Sequence, residues 1–176
     1  MMASIVLGGG CFWCLEAVYQ RVKGVSSVQS GYSGGHVDNP DYRSVCAETT
    51  GHAEVVQVEY DDSVISLSEL LDIFFTIHDP TTLNQQGNDR GTQYRSIALY
   101  ESNEDKQVIE QVMEDKAKDF SSPIVTEVKS LETFWSAETA HDNYYNNNSS
   151  QPYCQIVVGS KVAKLKQYFS DKMINE

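Results

Sequence analysis

The tightest constraint on this chain lies near its start. A short apolar run, Ser4-Ile5-Val6-Leu7, breaks into Gly8-Gly9-Gly10, and Cys11, Cys14, Leu15, Val18 and Val22 then recur at helical spacing. The pattern predicts a buried strand, a sharp turn and a helix that ends before Gly24. It places Cys11 where the helix begins. Backbone N–H groups and the helix dipole favour a thiolate there, so the expectation is a lowered pKa and a nucleophile at neutral pH. The glycines leave room for an incoming group, and Phe12 and Trp13 would flank the sulfur with apolar surface.

Strand and helix signals alternate through the rest of the chain. Residues 25 to 32 and 55 to 60 read as strands, and Ser66 with Glu69 forms a capping-box pair ahead of Leu67, Leu70, Leu71, Phe74 and Ile77, a helix that stops at Pro80. Residues 79 to 94 are polar and Gly-containing, a loop long enough to suggest function. A strand is expected from Ser96 to Tyr100, a helix capped by Ser102 and Asp105, a strand from Ile124 to Leu131, and helices around Ala137 to Tyr145 and Lys161 to Phe169. The run 146 to 152 reads as a loop. Interleaved elements around one core imply an α+β fold, with helices packed on a mainly antiparallel sheet.

The 176 residues suit one domain, 1–176, with a C-terminal loop and tail segment, 146–176. A net charge of −12 argues against nucleic acid and against an anionic membrane surface, because both are held mainly by Lys and Arg. No apolar run approaches the roughly 20 residues of a membrane-spanning helix. The first residues carry no basic stretch of the kind that opens a signal peptide, so a cytoplasmic location with reduced thiols is expected. The four cysteines are then inert, metal-bound or catalytic.

For Cys11 and Cys14 three readings compete: small core residues, a zinc half-site and a thioredoxin-like redox pair. Zinc is disfavoured because Cys46 and Cys154 stand alone, and no His pair has metal-ligand spacing, so no metal is expected. The aromatic Phe12-Trp13 insert fits the redox turn of thioredoxins poorly. His52-Ala53-Glu54 has the His-x-Glu spacing of zinc deaminases but lacks their downstream Pro-Cys-x-x-Cys. Glu54 is either a solvated carboxylate or, desolvated in a pocket, a protonated general acid.

Several segments together resemble the A-type peptide methionine sulfoxide reductases. They are Gly10-Cys11-Phe12-Trp13, residues 31 to 35, Asn39-Pro40-Asp41-Tyr42, Gly51-His52-Ala53-Glu54, residues 87 to 96 and residues 140 to 145. They run in family order from about residue 5 to residue 154. The resemblance implies a two-layer sandwich with a ferredoxin-like core and long loops, reducing methionine (S)-sulfoxide, free or in proteins, as a monomer. It implies Cys11 as nucleophile, Glu54 as proton donor to the sulfoxide oxygen, and Tyr42 and Tyr94 as its hydrogen-bond donors. Phe12 and Trp13 would receive the S-methyl group, with Asp89 in the polar part of the pocket. Attack leaves a sulfenic acid on Cys11 that a second thiol converts to a disulfide. Cys154, brought in on a mobile loop, or Cys14, if the first helical turn relaxes, would be that thiol, and Cys46 would pack. Thioredoxin or another dithiol would reopen the disulfide, with no bound cofactor. The competing reading is a thioredoxin-like disulfide oxidoreductase using Cys11 and Cys14, and a third is a binding module anchored by Phe12 and Trp13.

Overall fold

The computed structural model describes residues 2–174. The first strand, β1 (Met2–Gly8), leads through the glycine turn to α1 (Phe12–Tyr19), β2 (Val25–Ser33), the short α2 (Tyr42–Cys46), β3 (Ala53–Asp61) and α3 (Leu67–Ile77). A two-residue ribbon, β4 (Gln85–Gln86) with β5 (Asp89–Arg90), and a 3₁₀ turn, Thr92–Tyr94, precede β6 (Ile97–Tyr100). Then come α4 (Asn103–Lys116), β7 (Glu127–Ser130), β8 (Trp135–Ser136), α5 (Tyr144–Asn147), a π-helical turn Cys154–Val158 and α6 (Gly159–Phe169).

The main sheet runs β7-β6-β1-β3-β2-β8. Its pairings are antiparallel except β6–β7, whose crossover is α4. Within it, β1-α1-β2-β3-α3-β6 in the spatial order β6-β1-β3-β2 is the ferredoxin-like split βαβ arrangement, as expected. Strand β1 is therefore central, and the turn that follows it emerges from the middle of the sheet.

The period of two along each strand divides the core. Ile5, Leu7, Val56 and Val58 face the helices, while Val6, Ala53, Val55, Ile97 and Leu99 face the other way under Leu131 and Phe134. The sheet is thus covered on both faces, by helices on one and by an irregular segment on the other. Glu54 has the parity of Val56, so it points into the helical layer. The buried core is built from Leu, Ile, Val, Phe, Tyr, Ala and Cys; among the described residues Met113 and Met173 only border it, and Met2 is exposed.

Helix α3 has the predicted capping box: Glu69 N–H donates to Ser66 Oγ at 3.1 Å and Ser66 N–H to Glu69 Oε1 at 3.2 Å. It packs against α4 and α6 and buries Leu70, Leu71, Ile73, Phe74 and Phe75. Phe74 is wholly buried, so Phe74→Ala should lower unfolding free energy by about 3–5 kcal/mol, read as a drop in urea midpoint at unchanged m-value.

Three expectations need correction. The strand expected over Ile124 to Leu131 is only Glu127–Ser130, because its partner β6 begins at Ile97; upstream, Val125 N–H turns away to donate to Pro80 O at 2.8 Å. The helix expected around Ala137 to Tyr145 is a 3₁₀ turn and the four-residue α5, interrupted by Asn143 at φ 54°. Ala137 N–H is instead drawn to Ser30 O, beside the β2–β8 pairing. In the C-terminal segment the helix expected around Lys161 to Phe169 is α6, but helical turns extend it from Cys154 to Lys172, and Cys154 is fully buried rather than carried on a loop. No helix among the described residues is long and apolar enough to cross a membrane.

Candidate active site

The glycine turn seats Cys11 with little freedom. A Cβ on Gly9 would lie 2.8 Å from His78 Cδ2, and Gly10 has φ +85°, which favours glycine. Gly10 N–H donates to Tyr94 O at 3.1 Å, tying the 3₁₀ turn to the same place. Cys11 is the N-cap of α1, with extended φ/ψ and no side-chain cap bond. The orphan N–H of Phe12 donates instead to Glu54 Oε1, at 3.2 Å.

Glu54 is fully buried. Burial pushes its carboxyl up to about 8, against a smaller lowering contribution from the Phe12 N–H. Its Oε2 has no hydrogen-bond partner. At neutral pH the group is therefore mainly protonated, with one oxygen held by the helix and the other free.

Cys11 departs from the sequence expectation. It does occupy the helix N-terminus, but burial, and then Glu54 once it is ionised at higher pH, push its thiol up beyond what the backbone hydrogen bond recovers. The resting sulfur is a thiol.

Around this pair the fold gathers residues far apart in sequence. Tyr42 is at the first turn of α2, whose N-cap Asp41 forms a capping box with Ser44. Burial and Glu54 raise both Tyr42 and Tyr94, so both hydroxyls stay protonated and able to donate. Phe12 is fully buried, with ring centroids 5.7 Å from Tyr32, 6.4 Å from Tyr42 and 5.1 Å from His141. Trp13 stacks on Tyr144 at 3.7 Å and meets Tyr153 edge-on at 6.0 Å. Its indole N–H donates to His141 Nδ1 at 3.1 Å. Asp89, on β5, accepts from Tyr153 OH at 2.5 Å. A cavity of about 420 Å³ opens at Cys11, lined among others by Cys14, Asp89, Tyr153 and Lys161, whereas Glu54, Phe12, Trp13, Tyr42 and Tyr94 do not line it. Cys154 is not part of its lining.

The four cysteines are all free thiols. Cys14 is three residues into α1, with its N–H bonded to Cys11 O at 3.1 Å, and burial pushes it up to about 12. Cys46, half-buried on α2, does not line the cavity.

Sequence reasoning assigned no role to Tyr153, Tyr144, Glu138 or Lys161. Glu138 accepts from Tyr32 OH at 3.0 Å and from Tyr42 N–H at 3.1 Å, fixing the start of α2 against the sheet. Glu16, buried, accepts the N–H groups of Asn143 and Tyr144 and so holds the ring that stacks on Trp13. Both carboxylates act through elements adjacent only in three dimensions. His52 accepts from Gly35 N–H at 3.0 Å on Nδ1, so Nε2 donates to Val37 O at 2.7 Å: a neutral structural histidine. His78, pushed down to about 4 by burial, bonds Phe74 O and Ser96 Oγ. Among the described residues no group of three or more His, Cys, Asp or Glu could hold a metal ion.

Residues 3–173 match the family model described as peptide methionine sulfoxide reductase. The chain belongs to that family. Peptide methionine sulfoxide reductase MsrA of Saccharolobus solfataricus is 55% identical over 172 residues, 98% of this chain and 97% of that one. Among solved structures, reduced Mxr1 from Saccharomyces cerevisiae superposes with a TM-score of 0.81 at 35% identity, over 87% of this chain and 89% of that one. Mxr1 in complex with Trx2 gives a TM-score of 0.57 at 28% identity, over 80% and 84%. The chain is thus a peptide methionine sulfoxide reductase, an oxidoreductase acting on sulfur. The thioredoxin-like and binding-module readings of Cys11, Cys14, Phe12 and Trp13 give way to this one.

Proposed function

We propose that this reductase removes oxygen from the S epimer of methionine sulfoxide, free or in polypeptides, with the proton supplied by Glu54. The reading is carried by one observation: a buried carboxyl, protonated at neutral pH and with one oxygen unpartnered, accepts the N–H of the residue that follows Cys11, whose thiol opens on a cavity. Sulfoxide sulfur is electrophilic but its oxygen leaves poorly, so reduction needs a soft nucleophile and a proton donor.

The proton count closes within the pair. Glu54 gives its proton to the sulfoxide oxygen, and the resulting carboxylate takes the thiol proton of Cys11 as the sulfur attacks. The protonated oxygen then passes from the methionine sulfur to the Cys11 sulfur as the transient S–S bond and the methionine S–O bond break, so methionine leaves, reduced by two electrons, and Cys11 is oxidised to the sulfenic acid. Tyr42 and Tyr94 donate to the oxygen as charge builds on it. Phe12 and Trp13 receive the S-methyl group, and Asp89 lines the polar side of the pocket.

Cys14 is the thiol that then closes the disulfide. It shares the cavity with Cys11, and an N-cap cysteine with a partner three residues later is the Cys-x-x-Cys geometry of redox pairs, so the first turn need not unwind. Cys154 is sealed in the core beside Cys14, and a direct bond to Cys11 would require the turn Cys154–Val158 to open. Thioredoxin or a similar dithiol regenerates the enzyme, a role favoured by the Mxr1–Trx2 complex of the relative. The working unit is one domain, a monomer, in a reducing compartment such as the cytoplasm, where the disulfide is reopened each cycle.

The test is methionine release from separated S and R sulfoxides with excess dithiol. Turnover of the S epimer only is expected; equal turnover of both epimers would overturn the assignment.

A further inference from the structure

We propose that Lys161 is the residue that makes Cys14 a competent nucleophile toward oxidised Cys11. The proposal rests on the reading of Cys14 as the disulfide partner. Lys161 is the only cation among the residues lining the cavity that holds Cys11 and Cys14. It stands on the first turns of α6, half-buried against α1, and makes no ion pair among the described residues. A lysine that is partly desolvated and left unpaired in a cavity beside a thiol is a costly arrangement unless its charge is used.

The charges around Cys14 show what that use is. Asp89 from β5, Glu54 from β3 and Cys154 from the π-helical turn all disfavour a thiolate, as burial does, and Lys161 alone favours it. The attraction is mutual: Cys14 and Asp79 favour charged Lys161, and burial and Lys164 oppose it. Cys11 shares the cavity and is oxidised when Cys14 acts.

Cys14 loses its proton to solvent, its sulfur attacks the Cys11 sulfenic sulfur, an S–S bond forms and the S–O bond breaks. Hydroxide departs and takes up a proton as water; Cys14 is oxidised and the sulfenic sulfur is reduced to the disulfide level. Lys161 acts through Cys14.

Two measurements test this. In Cys11→Ser, with site-resolved mass spectrometry, Cys14 alkylation by iodoacetamide at fixed pH should be about tenfold slower when Lys161→Met is added, equivalent to a rise of about one unit in the thiol pKa. Lys161→Arg should keep the original rate. Simple loosening of the structure would expose Cys14 and speed alkylation, so a structural role moves the readout the other way. In the full chain mixed with one equivalent of the sulfoxide, disulfide closure should slow by about the same factor in Lys161→Met and recover in Lys161→Arg. Its pH profile should shift upward by about one unit. An unchanged Cys14 alkylation rate in Lys161→Met refutes the role of Lys161 even if Cys14 is the partner. Full-rate closure of a Cys11–Cys154 disulfide in Cys14→Ser refutes Cys14 as partner, separately from Lys161.

Discussion

Cys11→Ser should release no measurable methionine from the sulfoxide, although the variant folds. The substitution replaces one buried small side chain by another at an N-cap, where serine is a preferred residue, so thermal unfolding should move by only a few degrees. Chemistry suffers because a hydroxyl is a hard, weakly acidic nucleophile that cannot attack sulfoxide sulfur. The loss should therefore exceed the 10²–10⁴-fold typical of a missing general acid or base. Single-turnover methionine release, with unfolding monitored in parallel, checks it. Release within about tenfold of wild type would require a different nucleophile.

Glu54→Gln should slow the reductive step by about 10²–10⁴-fold at pH 7, with the profile as the more telling result. In the wild type the acid form of Glu54 is needed, so the step should fall about tenfold per pH unit once pH passes about 8. The Gln variant should be slow and lack that limb. Stability moves in the opposite sense. The folded state keeps the Glu54 proton up to about 8, whereas an unfolded glutamate releases it near 4.3. The folded state thus binds more protons across that window, and stability is lost as pH rises through it. Glu54→Gln removes this contribution and should be the more stable protein at pH 8.5, while remaining able to accept from Phe12 N–H. Urea unfolding at pH 5 and pH 8.5 measures it, and an identical pH dependence in both proteins would deny the buried protonated carboxyl.

Much of this site could be read along the chain because it is written locally. The strand, three glycines and helix of residues 4 to 22 fix where Cys11 sits, and Ser66 with Glu69 announces α3. The parity of β3 then turns Glu54 inward. The electrostatics could not be read in the same way: the helix N-terminus is visible as a pattern, whereas at Cys11 it is outweighed by burial and by charges that β3 and β5 bring from far along the chain, Glu54 and Asp89. Strand β8 escaped notice because two residues carry no periodicity, and they are strand only through pairing with Gly31 and Tyr32. Glu138, Tyr153 and Lys161 look like surface polar residues in sequence and acquire purpose through Tyr42, Asp89 and Cys14.

The composition of the core has its own consequence. Oxidation turns a flexible apolar thioether into a polar group, and a fold that relies on buried methionines loses packing when it happens. Here the described methionines lie at the edge of the core or outside it, and aliphatic and aromatic side chains fill the interior. The oxidants that create this enzyme's substrate therefore find little of it inside the enzyme. A repair catalyst built this way holds its shape under the same chemical stress that makes it necessary.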